Sequence, residues 1–100
     1  MAARRVEFHN EAAAEYDVAF DWYLEHSPEA AHKFDFEVES ALAQIVEGPK
    51  RWALGPLKTR RYLLRRFPFV VIYREQPADN LQIVAIAHTS RRPGYWKQRL

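Results

Sequence analysis

Arg66-Phe67-Pro68-Phe69-Val70-Val71-Ile72-Tyr73-Arg74 carries the strongest structural signal in the chain. From Phe69 to Tyr73 every residue is β-branched or aromatic, and both alternating faces of the run are apolar, which predicts a strand. Pro68 has no N–H to donate, so it belongs at a strand start or on an edge. Upstream, Leu57 to Leu64 also reads as a strand, joined to one running Phe67 to Arg74 by a tight turn at Arg65-Arg66. On that upstream strand Arg61 and Arg65 share a face with Leu63, and Arg60 takes the other with Tyr62 and Leu64. Downstream, Glu75 to Asn80 is a polar turn and Leu81 to His88 a third strand. Strict alternation puts Leu81, Ile83, Ala85 and Ala87 on one face and Gln82, Val84, Ile86 and His88 on the other.

The first half of the chain has helical period instead. Arg4 to Phe8 alternates polar and apolar residues and predicts a short strand. Asn10 follows as a helix cap, with Glu11 and Glu15 in the first turns facing the positive end of the helix dipole. Ala12, Tyr16, Ala19, Phe20 and Tyr23 then form one apolar stripe. Ser27-Pro28-Glu29 is a strong helix start, with a hydroxyl cap, proline at the first helical position and an acid behind it. Phe34, Val38, Ala41, Leu42 and Ile45 repeat the stripe. Gly48-Pro49 stops it, glycine being suited to the left-handed residue that closes many helices. Two helices with almost no linker make an antiparallel hairpin able to cover one face of a sheet. The expectation is an α+β domain over residues 1–100: an N-terminal strand, the hairpin, then a mostly antiparallel sheet in the order β-α-α-β-β-β. A short tail from Arg91 to Leu100 follows, extended or with a short helix after Pro93.

Composition narrows the function classes. One hundred residues, 48% hydrophobic and 28% charged, suit one small globular core and not a disordered chain. There is no cysteine, which excludes disulfides and thiolate metal sites. No apolar run is long enough for a membrane span and no signal-peptide core is visible, so the expected location is cytoplasmic. The net charge of +2 conceals a partition. Residues 1–50 carry four cationic against eleven acidic side chains, a net of −7; residues 51–100 carry eleven against two, a net of +9. Such asymmetry points to a surface for a polyanion or an acidic partner.

Three basic clusters lie in the second half: Lys58-Thr59-Arg60-Arg61, Arg65-Arg66, and Arg91-Arg92 with Lys97 and Arg99. They form either a cationic surface for phosphates and acidic side chains or a solvated strand face whose charges blunt an edge. His88 ends the last strand ahead of Arg91, Arg92 and Tyr95. A histidine beside arginines suits acid–base cleavage of RNA; equally, His88 anchors the tail while Tyr95 and Trp96 pack it down. No second histidine or carboxylate is placed beside His88 by local sequence. His9, His26 and His32 show no zinc spacing, and no metal or other cofactor is expected. Glu7, Glu11 and Glu15 read as solvating the first helix and its entry. Trp22 reads as packing, and Trp52 as a core plug or a partner anchor. Glycine-rich phosphate loops and nucleophile elbows are missing.

These pieces in this order resemble the RelE/ParE superfamily of toxins from type II toxin–antitoxin systems. The resemblance spans nearly the whole chain. It rests on Val6-Glu7-Phe8, Ala19-Phe20-Asp21-Trp22-Tyr23, the helix from Phe34 to Ile45 with Pro49, Arg61-Tyr62-Leu63-Leu64, Arg66 to Tyr73, and Ala85-Ile86-Ala87-His88 followed by Arg91, Pro93, Tyr95 and Trp96. The segments RFPFVVIYR and AIAHTSRRPGYW are similar to the ParE-like, plasmid-stabilisation branch. The resemblance implies a growth-arresting toxin and a cognate antitoxin, itself a small DNA-binding protein whose C-terminal segment wraps the toxin. It admits a toxin–antitoxin heterotetramer and implies no membrane partner. ParE-like members inhibit DNA gyrase by binding, without catalysis; RelE-like members cut mRNA on the ribosome without metal. The lack of a visible acid–base set favours the gyrase inhibitor. The alternative is a ribosome-dependent endoribonuclease using Arg61, His88, Arg91 and Tyr95. The residues expected to meet target or antitoxin are Trp52, Lys58, Arg60, Arg61, Arg65, Arg66, Arg91, Arg92 and Trp96.

Overall fold

The computed structural model describes residues 4–100. The start of the expected N-terminal strand survives only in part: β1 spans Val6–Phe8 and leads directly into α1, Asn10–His26. The cap of α1 is His9, not Asn10; its Nδ1 accepts the Glu11 amide at 3.0 Å, doing what a short polar side chain usually does. Ser27 then separates α1 from α2, Pro28–Glu47, and its Oγ accepts the Ala30 amide at 3.2 Å. Gly48 ends α2 with φ −150° and ψ 74°, so the helix does not close through the expected left-handed residue.

Three strands complete the chain: β2 at Thr59–Leu63, β3 at Phe69–Gln76 and β4 at Asn80–His88. The four-stranded sheet has the order β1-β4-β3-β2, with β1 parallel to β4 and both other pairs antiparallel. The α+β expectation therefore stands, with a mixed sheet. β2 starts two residues later than expected because Leu57 and Lys58 take positive φ (55° and 61°) in a turn closed by Thr59 Oγ1 donating to the Pro56 carbonyl at 2.7 Å. Likewise Ala78 and Asp79 take positive φ at the β3–β4 turn, and β3 continues into Glu75 and Gln76. At the β3–β4 turn the successive positive-φ residues match the twist of the two strands they join. Pro68 sits immediately before β3, where its missing N–H costs no ladder bond.

The hairpin stripes pack as expected on one face of the sheet. Phe34, Val38, Ala41 and Ile45 from α2 and Ala12 and Ala19 from α1 are buried against Tyr62, Val71, Tyr73, Leu81, Ile83 and Ile86. The Tyr73 hydroxyl donates to the Pro49 carbonyl at 2.6 Å and ties the sheet to the end of the hairpin. Strict alternation along β4 fails at one point. Tyr73 faces Ile83 and Ile72 faces Ala85, so Val84 is an extra residue without a partner. That bulge reverses the parity. Leu81, Ile83 and then Ile86 face the helices, whereas Val84, Ala85 and Ala87 face the other side. There they meet Val70, Ile72 and Trp96, because the tail ends in a 3₁₀ turn, Tyr95–Arg99, laid across that face.

Candidate partner-binding groove and basic surfaces

Strand β1 pairs with β4 only through Ile83, and the chain then departs into α1 as the His9 amide donates to the Ile83 carbonyl at 2.9 Å. From Val84 onward this edge of β4 has no neighbouring strand among the described residues. Two side chains take its place. Glu15 on α1 accepts the Ile86 amide at 3.0 Å, and Arg99 Nη1 donates to the Val84 carbonyl at 3.0 Å. The same two side chains form a bidentate pair at 2.8 and 2.9 Å, and Glu15 also accepts the Tyr95 hydroxyl at 2.5 Å. Arg99 is 7% exposed and Glu15 16%, so water screens this pair little. Burial pushes the Glu15 carboxyl up, but donation from Arg99, Tyr95 and the Ile86 amide outweighs it and holds the group below the usual carboxylate range. Burial, followed by the bond to Glu15, pushes the Tyr95 phenol up to about 12. The expectation that Glu15 solvates its helix fails: it is the hub that joins α1, β4 and the tail.

Beside this edge lies an open groove of about 750 Å³ between the outer side of α1 and the ends of β3 and β4. Its α1 wall is a second apolar stripe, Ala14, Val18 and Trp22, four residues apart on the helix. Val18 is 70% and Trp22 54% exposed, so Trp22 is not the packing residue expected; its ring stacks on His26 at 3.9 Å. Phe69 and Ile86 form the floor, and His88 and Arg91 line the other side, where Arg91 has no carboxylate partner among the described residues while Arg99 is paired with Glu15 and lies near Glu11. The Arg91 guanidinium lies 3.8 Å over the Tyr95 ring. His88 Nδ1 accepts the Ser90 amide at 3.0 Å, so the imidazole is tied to its own turn.

The other expected site residues separate into three groups. Arg61 faces the side of the sheet away from the helices, on β2, whereas His88 and Arg91 line the groove on the helix side of β4. Arg61 is thus separated from the other three residues of the nuclease alternative, of which His88 and Arg91 share the groove and Arg91 rests on Tyr95. Arg65 and Arg66 are exposed at the β2–β3 turn, and both of their amides donate to Glu37 Oε1, the second at 2.8 Å. Lys58 and Arg92 are also exposed. Two residues differ from expectation. Trp96 is 6% exposed and belongs to the core of the far face, since the tail needs it to cover Val70 and Ile72. Arg60 is held by Glu75 at 3.1 Å and by the Trp52 carbonyl at 2.5 Å, so its guanidinium is spent inside the fold. Trp52 is half-buried against Tyr62, with ring centres 5.0 Å apart. Among the described residues no group of three or more metal-binding side chains converges, and no helix is long and apolar enough to cross a membrane.

Comparison with known proteins agrees with this architecture. No curated protein sequence matches the chain. A solved structure described as the chromosomal ParDE TA system from P. aeruginosa superposes with a TM-score of 0.70 at 23% identity, covering 86% of this chain and 96% of that one. The likeness is one of fold. Residues 6–93, from β1 through the sheet into the tail, match the family described as ParE toxin of type II toxin-antitoxin system, parDE. The chain belongs to the ParE toxin family of type II toxin–antitoxin systems, within the RelE/ParE superfamily.

Proposed function

We propose that this ParE toxin arrests growth by binding DNA gyrase and that a cognate ParD-type antitoxin neutralises it by occupying the α1–β4 groove. The groove carries the reading: an apolar floor and wall at Phe69, Ile86, Val18 and Trp22, with Arg91 and His88 along one side. An amphipathic helix with an acidic flank complements that arrangement in both hydrophobicity and charge. A helix fits better than an added strand, because Glu15 and Arg99 already occupy the hydrogen-bonding groups of Ile86 and Val84 that a strand would need.

Inhibition by binding is favoured over cleavage by the same geometry. Arg61 lies across the sheet from His88, the Tyr95 hydroxyl donates to Glu15, and Arg91 rests on the Tyr95 ring. A general acid–base pair needs groups within hydrogen-bonding reach of one reacting centre. The test is a supercoiling assay with purified gyrase. Inhibition that antitoxin relieves is expected; full supercoiling across a wide excess of toxin overturns the gyrase assignment.

A further inference from the structure

We propose that the sheet face turned away from the helices, together with the tail laid across it, contacts the phosphate backbone of duplex DNA. The observation is a group of cations on this face and the tail that have no carboxylate partner. Lys33, Arg51, Arg60 and Arg99 all have carboxylate partners. Arg61, Arg74, Arg92 and Lys97 have none among the described residues. Arg61 and Arg74 are placed on this face by the register, Arg61 opposite Ile72 and Arg74 two residues farther along β3. Such diagonal neighbours stand roughly 7–8 Å apart, a spacing comparable to that of successive phosphates. Arg92 and Lys97 flank the segment that Trp96 pins over Val70 and Ile72. Glu7, opposite Gln82 at the far end of the sheet, is the carboxylate on the strands of this face.

Four cations without carboxylate partners, of which Arg74 is held by the neutral Gln82 Oε1 at 2.8 Å, repel one another and raise a positive potential over the face, which favours a polyanion. The ligand is a duplex and not a single strand because this face has no free aromatic ring among the described residues. Trp96 is buried, and Arg91 already lies on the ring of Tyr95. Single-stranded nucleic acids are held largely by base stacking on exposed aromatic rings, whereas a duplex is held by cations on its backbone. Nor does the face resemble the groove, where a continuous apolar floor suits a protein segment; here Leu63 is the large apolar side chain exposed on the strands. The choice of DNA rests on the gyrase reading, since gyrase presents duplex DNA to anything bound to it. The toxin would then add salt-sensitive DNA contacts of its own to whatever its protein partners supply.

The test is fluorescence anisotropy of a short labelled DNA duplex of arbitrary sequence, titrated with the full-length toxin alone. Four phosphate contacts predict a slope of log K against log salt near about −3.6, so affinity falls roughly 150-fold between about 50 and 200 mM salt. Replacing Arg61→Gln and Lys97→Gln together leaves two contacts, a slope near about −1.8 and a fall of roughly 12-fold. Both side chains are exposed, and circular dichroism checks that the variant is folded. Lys33→Gln, on α2, is expected to leave the slope unchanged. Equal slopes for the double variant and the parent overturn the proposal, as do tighter binding of the matching single strand or no binding to the duplex at the lower salt. The assay contains neither gyrase nor antitoxin, so its failure leaves the supercoiling result standing, and the reverse holds.

Discussion

Glu15→Ala removes the acceptor on which the tail, the β4 edge and α1 converge. The variant strands two buried groups. Arg99, 7% exposed, loses both short bonds to the carboxylate, and the Ile86 amide loses its acceptor. Breaking a buried ion pair by removing one partner costs about 3–5 kcal/mol, and an unpaired buried amide about 1–3 kcal/mol. The two do not simply add. Arg99 keeps its bond to the Val84 carbonyl and has the exposed Glu11 at 3.5 Å, which recovers part of the loss. The expected destabilisation is therefore about 3 kcal/mol, a large fraction of the roughly 5–15 kcal/mol that holds a small domain folded. At this chain length it lowers Tm by roughly 12–24 °C. Urea unfolding followed by circular dichroism measures it, and hydrogen exchange locates it in β4 and the tail. In the Glu15→Ala background, Arg99→Ala should cost about 2 kcal/mol less than it does alone, because the cation has already lost its partner. A single-variant loss below about 1 kcal/mol, or costs that add to within about 0.5 kcal/mol, would refute the claim that this pair closes the edge.

The groove and the acid behaviour of Glu15 yield two further expectations. Val18→Asp and Trp22→Ala alter exposed side chains and should change stability by no more than about 0.5 kcal/mol. Each should weaken antitoxin binding by about 2 kcal/mol, roughly thirtyfold by calorimetric titration; unchanged affinity removes the groove from that interface. The folded-state pKa of Glu15 is depressed, so the unfolded chain binds the proton first as pH falls. The stability it contributes is complete above its ordinary value of 4.5 and is lost as pH drops from there through the folded value. Stability measured from pH 5 downward (about one Glu titration range) should decline less steeply in Glu15→Gln than in the parent, and parallel curves would contradict the assignment.

What could be read before the structure follows from how local each cause is. The helix stripes, the Ser27-Pro28 boundary and the apolar β3 core are set by neighbours within a few residues, and each appears where periodicity placed it. The faces of β4 depend on a single unpaired residue, Val84, and no feature of Leu81 to His88 distinguishes a bulged strand from a regular one. The groove is more distant still from local pattern. It exists because β1 is three residues long and leaves half of one edge of β4 uncovered, while β3 pairs along the other. Glu15 and Arg99 meet there across a separation of 84 residues, one from the acidic half of the chain and one from the basic half. The charge partition visible in the sequence is therefore not simply a division between an inert acidic back and a binding basic front. At this point the two halves neutralise each other to finish the sheet, and within the basic half Glu75 withdraws Arg60. What remains for partners is the set of cations that folding leaves without carboxylates, and two of the surfaces that carry them differ in kind. Arg91 sits with an apolar groove suited to a protein segment, whereas Arg61 and Arg74 sit on an open sheet face suited to phosphates.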